Sequence, residues 1–156
     1  MGKRKKGKHW AERVFPRTNW EQIFECLWSL NGVSNKEKEL YYKFLMNGLP
    51  VKGRFLGLPS VIKKCSLCEQ VDETVEHLFR LCEKVRECYR DFKREGKHIV
   101  GYTPNLDGIR GTTFGQGVDM EKAMKLNIKY LSSVWYARGC TYWGKTVDPR
   151  TLFLRR

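Results

Sequence analysis

No run of about 18 apolar residues occurs in this chain, so nothing in it is long enough to span a bilayer. The N-terminus also lacks the apolar core of a secretory signal. Met1-Gly2 is not followed by the Ser or Thr that myristoylation requires. These absences predict an intracellular protein, in the nucleus or in an RNA-rich particle of the cytoplasm or an organelle. Six cysteines would mean disulfides in a secreted chain of this size, but a chain without a signal belongs in a reducing compartment, where metal binding is the better use of thiols. Acids are scarce as well. Against 30 Lys and Arg stand 17 Asp and Glu, a net charge of +13, and 156 residues allow one ordinary domain but not a multidomain enzyme.

What is present is a folding composition: 41% hydrophobic and 13% aromatic residues, with 14 glycines and a mean hydropathy of -0.56 that imply generous loops. The positive charge is unevenly spread. Residues 1–17 carry seven Lys or Arg against Glu12, a net +6; residues 52–64 carry four bases and no acid; residues 138–156 add a net +4. The segment 72–95 nearly balances, with seven acids and six bases. A field concentrated at two ends and one linker suits phosphate, because neutralising phosphates releases condensed counterions. The partner expected is RNA, with DNA as the alternative; a small-molecule substrate and a membrane are not expected. The lysine-rich arm also suits a nuclear localisation signal or a solvated tail.

Helical periodicity marks three stretches. Thr18 and Glu21 form a capping box ahead of Trp20, Ile23, Phe24, Leu27 and Trp28, all on one face. Ser34 and Glu37 repeat the device ahead of Leu40, Tyr41, Phe44 and Leu45, and Asn47-Gly48 before Pro50 ends that helix. These two should pack as a hairpin. Asp119 caps a third helix carrying Met120, Ala123, Met124, Ile128, Leu131, Val134 and Trp135, with Gly139 as its stop. A fourth helix is expected from near Asp72 to about Lys93, and six glycines between 96 and 117 predict a long loop. The fold class predicted is mainly α: a small helical domain over 18–139, with a zinc module at 63–94 and a loop at 96–117. A basic arm at 1–17 and a basic tail at 140–156 flank it.

Cys65-Ser-Leu-Cys68 places two thiolates on one tight turn, close enough for both to reach one ion at about 2.3 Å. Eight residues separate Cys68 from His77, and four separate His77 from Cys82. On an α-helix a step of five residues is about 500° of rotation, so His77 and Cys82 can share an ion only if the helix starts or bends there. Cys65, Cys68, His77 and Cys82 complete a tetrahedron with no open position for a catalytic water, which predicts one structural zinc ion. Cys88 is a substitute ligand by distance along the chain; Cys26 and Cys140 read as ordinary thiols.

The stretch from Cys65 to Cys82, with Glu73-Thr74 before His77-Leu78-Phe79, resembles the CCHC zinc-binding domain that follows the reverse transcriptase in many non-LTR retrotransposons. That family reads C-x-x-C, a short acidic loop, then E-T-x-x-H-L-F-x-x-C. Upstream, Phe44-Leu45-Met-Asn47-Gly48-Leu49-Pro50 is similar to the family's helix and "LP" turn. Downstream, Val134-Trp135-Tyr-Ala137-Arg138-Gly139 is similar to its closing "IWxARN" helix, with Gly139 where Asn is usual and a glycine-rich insert before it. The resemblance implies a region that binds template RNA or target DNA beside a polymerase. No Tyr-x-Asp-Asp palm motif is present, so nucleotidyl transfer is not expected. The expectation is a non-catalytic, domesticated RNA-binding protein, a structural subunit of a large ribonucleoprotein such as a ribosome, among other proteins of that particle. Its alternatives are the C-terminal nucleic-acid-binding region of a retroelement protein and a zinc-dependent protein–protein adaptor.

Phosphate contacts are expected from Lys3, Arg4, Lys5, Lys6, Lys8, Arg13, Arg17, Lys52, Arg54, Lys63, Lys64, Arg150, Arg155 and Arg156. His9, Trp10, Tyr142 and Trp143 suit stacking on unpaired bases. An endonuclease would need clustered carboxylates and a lysine, for which Asp91, Glu95 and Lys97 are a poor match.

Overall fold

The computed structural model describes residues 19–55, 57–100 and 119–155. The arm at 1–17, most of the glycine-rich segment, Thr18 and Arg156 lie outside them. Among the described residues the protein is mainly α, as the periodicity predicts. Its helices are α1 (Trp20–Ser29), α2 (Asn35–Leu45), α3 (Arg86–Glu95), α4 (Met120–Cys140) and α5 (Pro149–Arg155). No β-strand occurs among these residues; Lys64 and Asp72 form one isolated antiparallel bridge. The chain divides into two compact units, the first from residues up to Leu49 and 96–128, the second from 50–95 and 129 onward.

In the first unit Trp20, Ile23, Phe24 and Leu27 bury the face of α1 that their spacing puts together. Trp28, expected on the same face, is exposed at the helix end, where its carbonyl accepts from Lys38 Nζ at 3.1 Å. The cap also differs from the expectation. Asn19 accepts from the Gln22 N–H at 3.1 Å, satisfying one of the amides a helix start leaves unpaired; Thr18 of the expected box lies outside the described residues. For α2 the expected capping box is present in full. Ser34 Oγ accepts from the Glu37 N–H at 3.1 Å, and Glu37 accepts from the Ser34 N–H at 3.2 Å. Phe24 and Tyr42 meet at 5.5 Å between ring centroids, so α1 and α2 pack as the predicted hairpin. Asn47, with φ 55°, takes the left-handed position that turns the chain out of α2. Asp119 caps α4, accepting from the Lys122 N–H, and the Asn127 side chain donates to Tyr41 Oη at 3.3 Å.

The second unit departs further. The expected helix from Asp72 to Lys93 is broken. It opens at Val75, widens into a π turn over His77–Leu81, goes extended at Cys82 and resumes as α3. A second π turn, Gly96–Val100, continues α3 into what was expected to be loop. Gly139 does not stop α4, which runs to Cys140 and a 3-10 turn, Thr141–Trp143, until Gly144 at φ 71° ends it. Nor is the C-terminal segment a loose tail: α5 buries Phe153 completely, edge-on to Tyr130 at 6.3 Å. Tyr130 is the centre of this core. It stacks on Phe92 at 4.4 Å, and its hydroxyl donates to the Phe79 carbonyl at 2.6 Å. Desolvation there pushes its phenol well above the ordinary range.

Candidate metal centre

Backbone hydrogen bonds run within the cysteine turn. The Cys65 N–H donates to the Val71 carbonyl at 2.7 Å, and the Cys65 carbonyl accepts from the Glu69 N–H at 2.9 Å. Glu69 turns the chain at φ 59°. This folds 65–71 back on itself, with Cys65 and Cys68 buried. The second ligand pair comes from the start of a helix. Thr74 Oγ1 accepts from the His77 N–H at 3.0 Å, an N-cap that sets His77 in the first turn. Five residues later the Cys82 N–H donates to the His77 carbonyl at 2.7 Å, the five-residue hydrogen bond of a π turn. On an α-helix the two side chains would diverge by about 140°. The wider turn brings them to one side, while Leu78 and Phe79 are buried in the core.

Four ligand atoms converge as a result. Those of Cys65, Cys68, His77 and Cys82 all lie within 4.8 Å of one another and could hold one metal ion. Cys65 Sγ and Cys82 Sγ are 3.9 Å apart, and Cys68 Sγ is 3.2 Å from His77 Nε2. A tetrahedral ion with sulfur at about 2.3 Å needs sulfurs about 3.8 Å apart, a spacing the Cys65–Cys82 pair matches. The hydrogen bond between the Cys65 and Cys82 sulfurs holds Cys65 down to about 5 and pushes Cys82 up. Cys88 is not part of the cluster: it is buried, and desolvation pushes its thiol up to about 12.

One buried carboxylate, Glu73 of the Glu73-Thr74 pair, organises the surroundings, a role its place in the motif does not reveal. Glu73 is fully buried and pairs with Arg138, Oε1 to Nη2 at 2.7 Å and to Nε at 3.0 Å. It also accepts from the Lys52 N–H at 3.0 Å and the Ser66 N–H at 2.9 Å. Desolvation alone would raise its pKa; the Arg138 guanidinium and the two amides outweigh that and hold it below the usual carboxylate value. Gly53 packs so closely here, donating to the Glu73 carbonyl at 2.7 Å, that a Cβ would lie 2.4 Å from that oxygen. The available clue was Arg138 itself, a charge seven residues past Leu131 and four past Val134 on the apolar face of α4.

The residues expected to meet nucleic acid are placed variously. Lys3, Arg4, Lys5, Lys6, Lys8, His9, Trp10, Arg13, Arg17 and Arg156 lie outside the described residues. In the second unit Lys52 Nζ sits 5.7 Å from the Tyr142 ring, and Tyr142 and Trp143 are exposed. Arg54 and Arg155 are exposed, Lys63 half-buried, and Lys64 is paired with Asp72 at 3.5 Å. Arg150 is not the open cation expected. Its guanidinium donates to Asp91 at 2.6 Å and reaches Glu87 at 3.5 Å. Asp91 is also held by Arg94, and Glu95 by Lys129 at 3.2 Å. The carboxylates weighed as a nuclease site are therefore engaged in ion pairs. No helix among the described residues is long and apolar enough to cross a membrane. No known family matches the chain, and neither a curated protein nor a solved structure is similar to it.

Proposed function

We propose that this protein is a non-catalytic, zinc-containing RNA-binding protein, domesticated from the zinc domain that follows a retroelement reverse transcriptase and serving as a structural subunit of a large ribonucleoprotein. The observation that carries the reading is the Cys3His cluster, whose four ligand atoms lie within 4.8 Å of one another, as many donors as a closed tetrahedral site takes. Three thiolates and an imidazole favour zinc over harder cations, which prefer oxygen. In the same unit the exposed Tyr142 ring lies beside Lys52, the combination that suits single strands. Zinc would fasten the Cys65–Cys68 turn to the His77–Leu81 turn and take no part in chemistry.

The decisive measurement is RNA affinity against salt on the full, zinc-loaded chain. Engagement of roughly six to ten phosphates predicts a loss of about a thousandfold or more between 50 and 200 mM. Sequence preference should be slight, and removal of residues 1–8 should flatten the slope while leaving thermal stability in place. Flat salt dependence, or unchanged affinity after neutralising Lys52, Arg54, Lys63 and Lys64 and truncating the arm, would sink the reading. Val61, Ile62 and Phe55, 78%, 49% and 47% exposed, favour a second one, a zinc-dependent adaptor for a protein partner. That reading predicts an affinity that survives high salt and depends on the zinc turn.

A further inference from the structure

Glu73 touches both ends of the second unit's polar network. One oxygen, Oε2, accepts from the Ser66 N–H at 2.9 Å. Ser66 lies between the ligands Cys65 and Cys68, so this amide is aimed by the closure of the cysteine turn. The other oxygen, Oε1, accepts from the Lys52 N–H and from Arg138 Nε and Nη2. Lys52 and Arg138 then converge on one ring. Lys52 Nζ is 5.7 Å and Arg138 Cζ 5.6 Å from the Tyr142 centroid. Arg138 spends its charge on Glu73, which leaves Lys52 as the cation presented with the ring. Tyr142 is 59% and Trp143 83% exposed, on a 3-10 turn that Thr141 ties to α4 by donating to the Arg138 carbonyl at 2.7 Å. Two large rings held in water by a turn that is itself anchored to a buried ion pair bury no core; their faces are open to a flat ligand.

We infer that Tyr142, Trp143 and Lys52 form a stacking platform for an unpaired base and its phosphate, and that Glu73 is the positioning residue through which metal loading of the cysteine cluster sets that platform. The inference rests on the RNA-binding reading and adds to it a coupling between two sites. Closing the cysteine turn aims the Ser66 amide at Glu73, and Glu73 holds Lys52 and Arg138 against the ring. Coupling of this kind is reciprocal: a strand on the platform must tighten the metal by the factor by which the metal tightens the strand.

The test uses the full chain and a fluorescent oligouridylate, with zinc affinity read by competition against a chromophoric chelator, with and without saturating oligonucleotide. In the wild type the oligonucleotide should raise zinc affinity by about tenfold. Tyr142→Ala should weaken the oligonucleotide by about tenfold, and Tyr142→Phe, which keeps the ring, should restore it. The double variant Glu73→Gln with Arg138→Gln removes both buried charges together, so neither is left alone. It should bind one zinc with no shift on adding the strand. A shift that persists in the double variant, or zinc and strand binding independently in the wild type, would overturn the coupling and leave RNA binding intact. Failure of the zinc-loaded wild type to bind the strand at all would take the RNA-binding reading down with it. Should the double variant not take up zinc, Tyr142→Ala decides: residual strand binding without the zinc shift supports the proposal, and an undiminished shift overturns it.

Discussion

In the first unit, α1 and α2 are regular helices whose end amides are met by Asn19, Ser34 and Glu37, residues within three positions of the groups they satisfy. In the second, the described residues from Val51 to Thr74 contain no regular element longer than the 3-10 turn Lys52–Arg54. Its backbone groups are satisfied at a distance. Lys52 and Ser66 donate to a carboxylate 21 and 7 residues away, and Gly53 donates to the Glu73 carbonyl. Buried backbone groups must be paired either way. A helix pairs them with its own neighbours, whereas an irregular segment needs a few central groups, and each of those groups then carries a large share of the stability.

That contrast is sharpest under metal removal. Chelation, or Cys65→Ala, should remove a binding contribution on the order of 10 kcal/mol. Hydrogen exchange should show protection lost at the amides of Cys65, Glu73 and Cys82 while those of Leu27 and Phe44 persist. Simultaneous loss in both sets would break the comparison, and elemental analysis should find one zinc per chain beforehand. Next in size is Glu73→Ala, which strands the Arg138 charge and should cost about 3–5 kcal/mol in denaturant unfolding. Because the folded carboxyl is held below its ordinary value of about 4.5, the contribution of its ionised form is fully present above that value and is lost as pH falls through the folded pKa. The difference between wild type and variant should therefore be steady at neutral pH and shrink in acid; an increase in acid would contradict the ion pair.

Leu27→Ala, at a fully buried position of α1, should cost roughly 2–5 kcal/mol, by an amount that chelator does not change. A chelator-dependent cost would tie the first unit to the metal. Smallest is Ser34→Ala, about 1 kcal/mol for one helix cap, measured as a shift in the denaturation midpoint. A cost as large as that at Glu73 would remove the distinction between local and central groups.

Much of the fold was legible because its signals are local. The faces of α1 and α2, the Ser34–Glu37 box and the ligand spacing from Cys65 to Cys82 all depend on residues a few positions apart. The misses have physical reasons. Thr18 and Asn19 are both competent caps, and adjacency alone does not decide between them. Gly139 has the composition of a stop but not the left-handed backbone, which the chain adopts at Gly144. The π turn at His77–Leu81 leaves no mark in composition, so the break before α3 was visible only as a demand of the ligand geometry. Glu73 and Arg138 are 65 residues apart, beyond any periodicity, and Arg150 counted as a net charge until Asp91 was found beside it.

The cluster also has a mechanical consequence. With an ion bound, Cys65 and Cys82 are joined through it, so tension applied along the chain passes from one sulfur to the other across a gap of 3.9 Å. The residues between them, extended, would add on the order of 55 Å of contour length, and none of it is released until a ligand leaves.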